Sequence, residues 1–196
     1  MRPSRQSGTG ILLALLAASC AWGADIAPAT AVRFNTVCAN CHEGECSGRL
    51  SFRAQADAAG NHIRRYLDAV PAPEVEALFE LLRYTKEHCR RYPVAANAAA
   101  DGRWRAPELA AWRTSAADGY FIPLGTLRPG RRQLRITLAG DAPCSLRVTD
   151  ARFEVAVEEQ PCSGGATILT FSARSGEHYL HVQTASEILG LELDRD

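Results

Sequence analysis

Leu134-Arg135-Ile136-Thr137-Leu138 alternates apolar and polar side chains without a break, the period of a strand that buries one face and exposes the other. The same period recurs downstream. Leu146 and Val148 flank Arg147, Phe153, Val155 and Val157 alternate with Glu154 and Ala156, and Leu180 and Val182 flank His181. Ile168 to Phe171 and Ile188 to Leu193 read as more fully buried strands, and Tyr120 to Leu124 opens the series. Turn-forming clusters separate the segments: Arg128-Pro129-Gly130, Ala139-Gly140-Asp141, Ser163-Gly164-Gly165 and Ser175-Gly176. Seven short strands at this spacing predict an antiparallel β-sandwich over residues 118–196.

Towards the amino terminus the period changes. Ile63, Tyr66, Leu67 and Val70 recur at i, i+3, i+4 and i+7, as on one face of a helix. Pro71 and Pro73 interrupt the chain. A second helical stripe of Val75, Leu78, Phe79 and Leu82 follows, with Glu residues in its first turn and Lys86, His88, Arg90 and Arg91 at its end, as the helix dipole favours. A short helix over Thr30 to Val37 precedes both, and Gly44 and Gly48 break the chain after it. The run of small residues from Val94 to Gly102 reads as a linker. The expected organisation is therefore multi-domain: a small all-α domain at 25–93, a linker at 94–117 and an all-β antiparallel sandwich at 118–196.

Residues 1–24 carry a different signature. Arg2 and Arg5 precede an apolar run from Ile11 to Ala18, and the small residues Ala17, Ala18 and Ser19 lead to Cys20. A basic start, a short apolar stretch and a small-residue cleavage zone make a secretory signal peptide. Ala17-Ala18-Ser19-Cys20 is also similar to a bacterial lipoprotein box, which makes Cys20 a candidate lipid anchor. The apolar run is too short to span a bilayer. The mature chain is expected to be periplasmic or secreted, where disulfides persist.

Composition narrows the partners. Of the 196 residues, 22 are Lys or Arg and 22 are Asp or Glu, so the chain lacks the excess of positive charge that nucleic-acid binding needs. With 46% hydrophobic residues it can build a packed core.

Chemistry concentrates at Cys38-Ala39-Asn40-Cys41-His42. C-x-x-C-H is the attachment signature of c-type haem: two thiols three residues apart can each form a thioether to a haem vinyl group, and the adjacent imidazole can bind the iron. A zinc site of Cys38, Cys41, Cys46 and Cys89 would leave His42 idle and need free thiolates in an oxidising compartment. A thioredoxin-type redox pair would need a βαβ context that the flanking residues do not offer. Cys38, Cys41 and His42 are therefore the expected cofactor-binding residues, with His42 as an iron ligand and haem c as cofactor. The only methionine is Met1, so Met/His ligation is excluded. His62 is the first candidate for the distal metal ligand and His88 the second, an open or water-bound iron being the remaining possibility. Four cysteines remain, and in an oxidising compartment the economical pairing is Cys46–Cys89 and Cys144–Cys162.

C-x-x-C-H followed by a last amphipathic helix resembles the small class I monohaem cytochromes c over residues 25–93. The order Asp118-Gly119-Tyr120-Phe121, the Gly130 turn before Leu134, and Gly176-Glu177-His178-Tyr179-Leu180-His181-Val182 resemble the bacterial pre-peptidase C-terminal β-sandwich domains. The first resemblance implies a one-electron carrier rather than an enzyme, a periplasmic c-type cytochrome with low-potential non-Met ligation that meets redox partner proteins. The second implies an accessory, non-catalytic module. Two alternatives stand beside the carrier: a haem enzyme or gas-binding sensor with an open distal site, and a binding or docking module tethered to an oxidoreductase complex.

Overall fold

The computed structural model describes residues 26–42, 56–67, 69–94, 101–114 and 117–194. The signal segment, Cys20, Cys46 and residues 95–100 lie outside them.

Among the described residues, nine strands form two antiparallel sheets. In chain order they are β1 (Arg103–Arg105), β2 (Arg113–Thr114), β3 (Gly119–Leu127), β4 (Gly130–Leu138), β5 (Cys144–Asp150), β6 (Val155–Cys162), β7 (Gly165–Ala173), β8 (Gly176–Thr184) and β9 (Ile188–Leu193). One sheet runs β1-β9-β4-β7 and the other β2-β3-β8-β5-β6. The alternation of β4 works as its sequence requires. Leu134, Ile136 and Leu138 are buried, and they join Leu191 and Leu193 of β9, Ile122 and Leu124 of β3 and Leu180 and Val182 of β8 in one core. Cys144 and Cys162 sit opposite each other on β5 and β6 and are joined by a disulfide with Cα atoms 4.9 Å apart.

Residues 103–114, expected in the linker, belong to the β body. Arg103–Arg105 is an edge strand on β9 that buries Trp104 in the core. Helix α5 (Ala106–Ala110) is capped by the Glu108 carboxylate, which accepts the Arg105 amide at 2.7 Å, and it buries Leu109 completely. Phe153, expected in a strand, sits in the turn before β6 with φ of 65°, anchored by the Asp150 carboxylate, which accepts the amides of Arg152 and Glu154 at 2.7 and 3.0 Å.

The helical segment comprises α1 (Pro28–Arg33), a π-helical turn (Phe34–Cys38), α2 (Ala39–His42), α3 (Ala56–Tyr66) and α4 (Ala72–His88). Pro28 and Pro73 stand in the first turns of α1 and α4, where a missing N–H costs nothing. Ile63, Leu67 and Val70 pack against Val75, Leu78 and Leu81 of α4 and Phe34 of the π turn. Tyr66, on the expected stripe, is 59% exposed. Cys89 ends α4 in the left-handed region at φ 51°.

The expectation of an all-α domain followed by an all-β domain is corrected here. The described residues are mainly β, and α1 with the π-helical turn is built onto the outer face of the five-stranded sheet. A self-contained helical domain would bury α1 against its own helices. Val32 of α1 is instead fully buried against Phe121 of β3, Tyr179 of β8 and Ala151.

Arg91 fastens this seam. It follows α4, is 2% exposed, and donates hydrogen bonds to Asn35 Oδ1 of the π turn at 2.5 Å and Thr149 Oγ1 of β5 at 3.0 Å. Its amide donates to the Ala151 carbonyl at 2.7 Å. Its guanidinium lies 4.7 to 5.6 Å from the ring centres of Phe121, Phe153 and Tyr179, within the range of cation–π attraction. Charge-assisted hydrogen bonds and aromatic faces together make burial of a cation tolerable.

Candidate functional site

Two cavities flank the π-helical turn. An α-helix gives each residue a 100° step, and the wider π turn shifts that phase locally, a feature frequent at functional positions. Phe34, Val37 and Cys38 line one cavity, while Asn35 and Thr36 line the other.

The first cavity, of about 710 Å³ with its open mouth, is apolar. α3 contributes Ala59, His62 and Ile63, and α4 contributes Leu78, Phe79 and Leu82. The motif supplies Cys38, Cys41 and His42. Neither thiol is in a disulfide; Cys38 is half-buried and Cys41 exposed. Burial, reinforced by the neighbouring Cys41, pushes the Cys38 thiol up to about 11, so it is protonated at neutral pH. The rings of His42 and His62 are 6.1 Å apart between centres and lie edge to face. Both rings line the apolar cavity. Tyr66 flanks His62 at 5.1 Å.

The structure thus brings together Cys38, Cys41, His42 and His62. It does not bring in His88, whose ring packs on Tyr84 at 4.4 Å at the end of α4 and does not line the cavity. His88 as a distal ligand is corrected on that ground. Cys89 is disulfide-bonded; its expected partner, Cys46, lies outside the described residues. Trp104 and Trp112 pack against the sandwich core. The buried Arg132 donates to the carbonyls of Arg131 and Arg128 at 3.2 and 3.0 Å.

The second cavity was not legible in the sequence. It is a polar cleft of about 560 Å³, open at one side, where the helical segment leaves part of the five-stranded sheet uncovered. His181 of β8 and Arg147 of β5 are direct cross-strand partners, and Asn35 and Thr36 stand over them from the π turn. His181 stands edge-on to Phe121 at 4.9 Å. Burial first, then the positive charges of Arg91 and Arg147, holds its imidazole well below the ordinary histidine value, so it is neutral. The signal that could have revealed this pair is the alternation itself: His181 and Arg147 are polar residues between core positions on two separate strands.

No protein-family model matches the chain, and no curated protein matches it. Among solved structures, a carbohydrate-binding module from lichenase 5A of Cellvibrio mixtus, in complex with cellotriose, is 14% identical, with 40% of this chain and 70% of that chain covered and a TM-score of 0.30. The CBM35 of Paenibacillus barcinonensis is 10% identical, with 41% and 73% covered and a TM-score of 0.31. A family GH115 4-O-methyl-α-glucuronidase with specificity for decorated arabinogalactans is 12% identical over 71% of this chain, with a TM-score of 0.36, and the match spans 25% of that enzyme.

The architecture corrects the reading of residues 25–93 as a small cytochrome c, and with it the electron-transfer function drawn from that resemblance. Val32 of α1 is buried against the five-stranded sheet, so the helical segment shares a seam with the sandwich. Among the described residues no three His, Cys, Asp or Glu side chains converge on a metal ion, so an iron site built from side chains alone is not shown.

Proposed function

We propose that the chain is a binding and docking module tethered to an oxidoreductase complex, with a covalently attached haem c in the apolar cavity. The observation that carries this reading is the Arg91 seam: it makes the helical segment and the sandwich one body, so a group held at Cys38 and Cys41 has a fixed place relative to the sandwich surface. The cavity's chemistry fits such a group. Its wall is apolar, two thiols outside any disulfide face it, and two imidazoles stand across it. Cys38 and Cys41 would hold the haem, with His42 and His62 as its iron ligands. A bound haem supplies an iron centre whose behaviour the axial ligands and surroundings set.

The chain's own residues do the rest. Phe34, Ile63, Leu78 and Phe79 exclude water from the inner wall. Each thioether would form by addition of a thiol S–H across a vinyl double bond, the proton going to carbon, so attachment would need no oxidant. An exported location accords with the Cys144–Cys162 disulfide.

The test has two arms. The full chain is produced in the periplasm of a bacterium with c-type haem attachment, and haem staining is followed on a denaturing gel. Staining that stays with the wild-type band and is lost in C38A/C41A supports the cofactor; an unstained, folded wild-type protein overturns it. In the second arm the tagged chain is cross-linked in its native host. Recovery of an oxidoreductase subunit supports docking, and recovery of the chain alone overturns it.

A further inference from the structure

We propose that the outer edge of β7 is a self-association surface, on which a second copy of this chain adds its own β7 in antiparallel pairing. This inference rests neither on the haem nor on docking to an oxidoreductase.

Among the described residues the two sheets end on β1 and β7 in one case and on β2 and β6 in the other. An edge strand presents a row of unpaired N–H and C=O groups, and proteins blunt it by short length, charge, proline or irregular pairing. Three of these edges are blunted in such ways. β1 spans three residues and carries the exposed Arg103 and Arg105, and β2 spans two. β6 carries the exposed Glu158, Glu159 and Pro161, and its register with β5 shifts at two places. β7 has none of these guards. Its nine residues, Gly165 to Ala173, include no charge and no proline. All of them pair with β4 without a shift, so the outer edge is equally regular. Ile168 stands on the outer face of this strand at 49% exposure.

The strand's own pattern selects the occupant. Antiparallel pairing about a two-fold axis at Leu169 engages the whole strand. It sets Leu169 opposite the partner's Leu169, Ile168 opposite the partner's Thr170 and Thr167 opposite the partner's Phe171. β-branched and aromatic side chains opposite one another make favourable cross-strand pairs. Leu169 and Phe171 belong to the sandwich core, so the pairing carries that core across the seam. The two four-stranded sheets join into one, and the two-fold symmetry closes the assembly because each copy's β7 edge is then covered.

Charge fits the same register. Arg174, the residue after β7, comes opposite the partner's Gly164. Within each chain Gly164 lies so close to Asp141 that a Cβ there would meet both its carboxylate and its backbone. The Arg174 side chain is 71% exposed, with Glu154 of its own chain 3.3 Å away, and Asp141 is exposed. Each end of the pairing therefore brings a guanidinium towards a carboxylate, and no like charges stand opposite one another along the seam.

The full chain is followed by sedimentation velocity across the micromolar to millimolar range, with amide hydrogen exchange read by mass spectrometry at both ends of that range. A concentration-dependent dimer is expected, in which peptides covering residues 165–173 exchange at least tenfold more slowly and those covering β1 are unchanged. I168K/T170K sets like charges opposite one another at the seam, where they repel, while both positions are exposed in the single chain. It is expected to weaken the dimer at least tenfold and to keep the wild-type circular dichroism. R174E should weaken it several-fold, and less so at high salt. A chain that stays monomeric throughout overturns the inference. A dimer whose β7 amides exchange no more slowly also overturns it, as does one that I168K/T170K leaves intact, because the contact then lies elsewhere.

Discussion

Replacing Arg91 by alanine should uncouple the helical segment from the sandwich. The substitution removes a donor from Asn35 Oδ1 and from Thr149 Oγ1, and both residues are buried, at 7% and 0% exposure. A buried polar group that loses its partner costs about 1–3 kcal/mol. The loss of the guanidinium from among Phe121, Phe153 and Tyr179 adds about 0.5–2 kcal/mol. The expected destabilisation is therefore about 4 kcal/mol, within the range of roughly 3–5 kcal/mol for removing one partner from a buried charged network. Urea unfolding read by two probes separates the parts. Ellipticity at 222 nm follows the helices, and fluorescence of Trp104, buried in the sandwich core and read in a W22F/W112F background, follows the sheets. The wild-type transitions should coincide, as for one cooperative unit. In R91A the helical signal should be lost first, at lower urea, while the Trp104 signal keeps most of its midpoint. R91K, which keeps the charge but not the fork, should fall between. A loss below about 1 kcal/mol in R91A, or separate transitions in the wild type, would refute the reasoning.

Three further outcomes follow from the geometry. In apo protein at pH 8, a maleimide should modify exposed Cys41 well before half-buried Cys38, whose pKa is pushed up to about 11; peptide mass spectrometry reads the order, and equal rates would contradict the burial assigned to Cys38. His181 is held neutral in the folded chain, whereas the unfolded chain protonates it near the usual histidine value. Its contribution to stability is thus complete above about pH 6.5 and declines as the pH falls below that; H181Q should flatten this decline between pH 7 and 5 in thermal melts, and an unchanged slope would argue against a buried neutral imidazole. The Cys144–Cys162 disulfide closes a separation of 18 residues, so C144S/C162S should lose about 3 kcal/mol by the loop-entropy account; a loss confined to a few tenths would contradict that account.

The strands were legible because Leu134, Ile136 and Leu138 obey a period that one buried face imposes. What no local period records is which outer face another part of the chain will cover. Arg91 shows the difference. In the sequence it reads as one more cation at the end of α4, where the helix dipole favours it; in the fold it is a buried link to β5 and the π turn. Phe153 likewise fits an alternating run, yet the Asp150 turn takes it out of the strand and places it under the Arg91 guanidinium. At the site, Cys38, Cys41 and His42 announce themselves by spacing, and His62 by its place beside the apolar stripe. His88 was the second candidate, but at the end of α4 its ring packs on Tyr84. The His181–Arg147 pair depends on cross-strand register between residues 34 positions apart, which single-strand patterns do not encode.

The most direct test of the account is the reduced pyridine haemochrome spectrum of the full chain, purified from a periplasm competent in haem attachment, with intact-mass measurement of the same sample. One covalently bound haem per chain, abolished in C38A/C41A and with an altered ferric spectrum in H62A, is the predicted result. A folded chain whose mass is that of the polypeptide alone would contradict it.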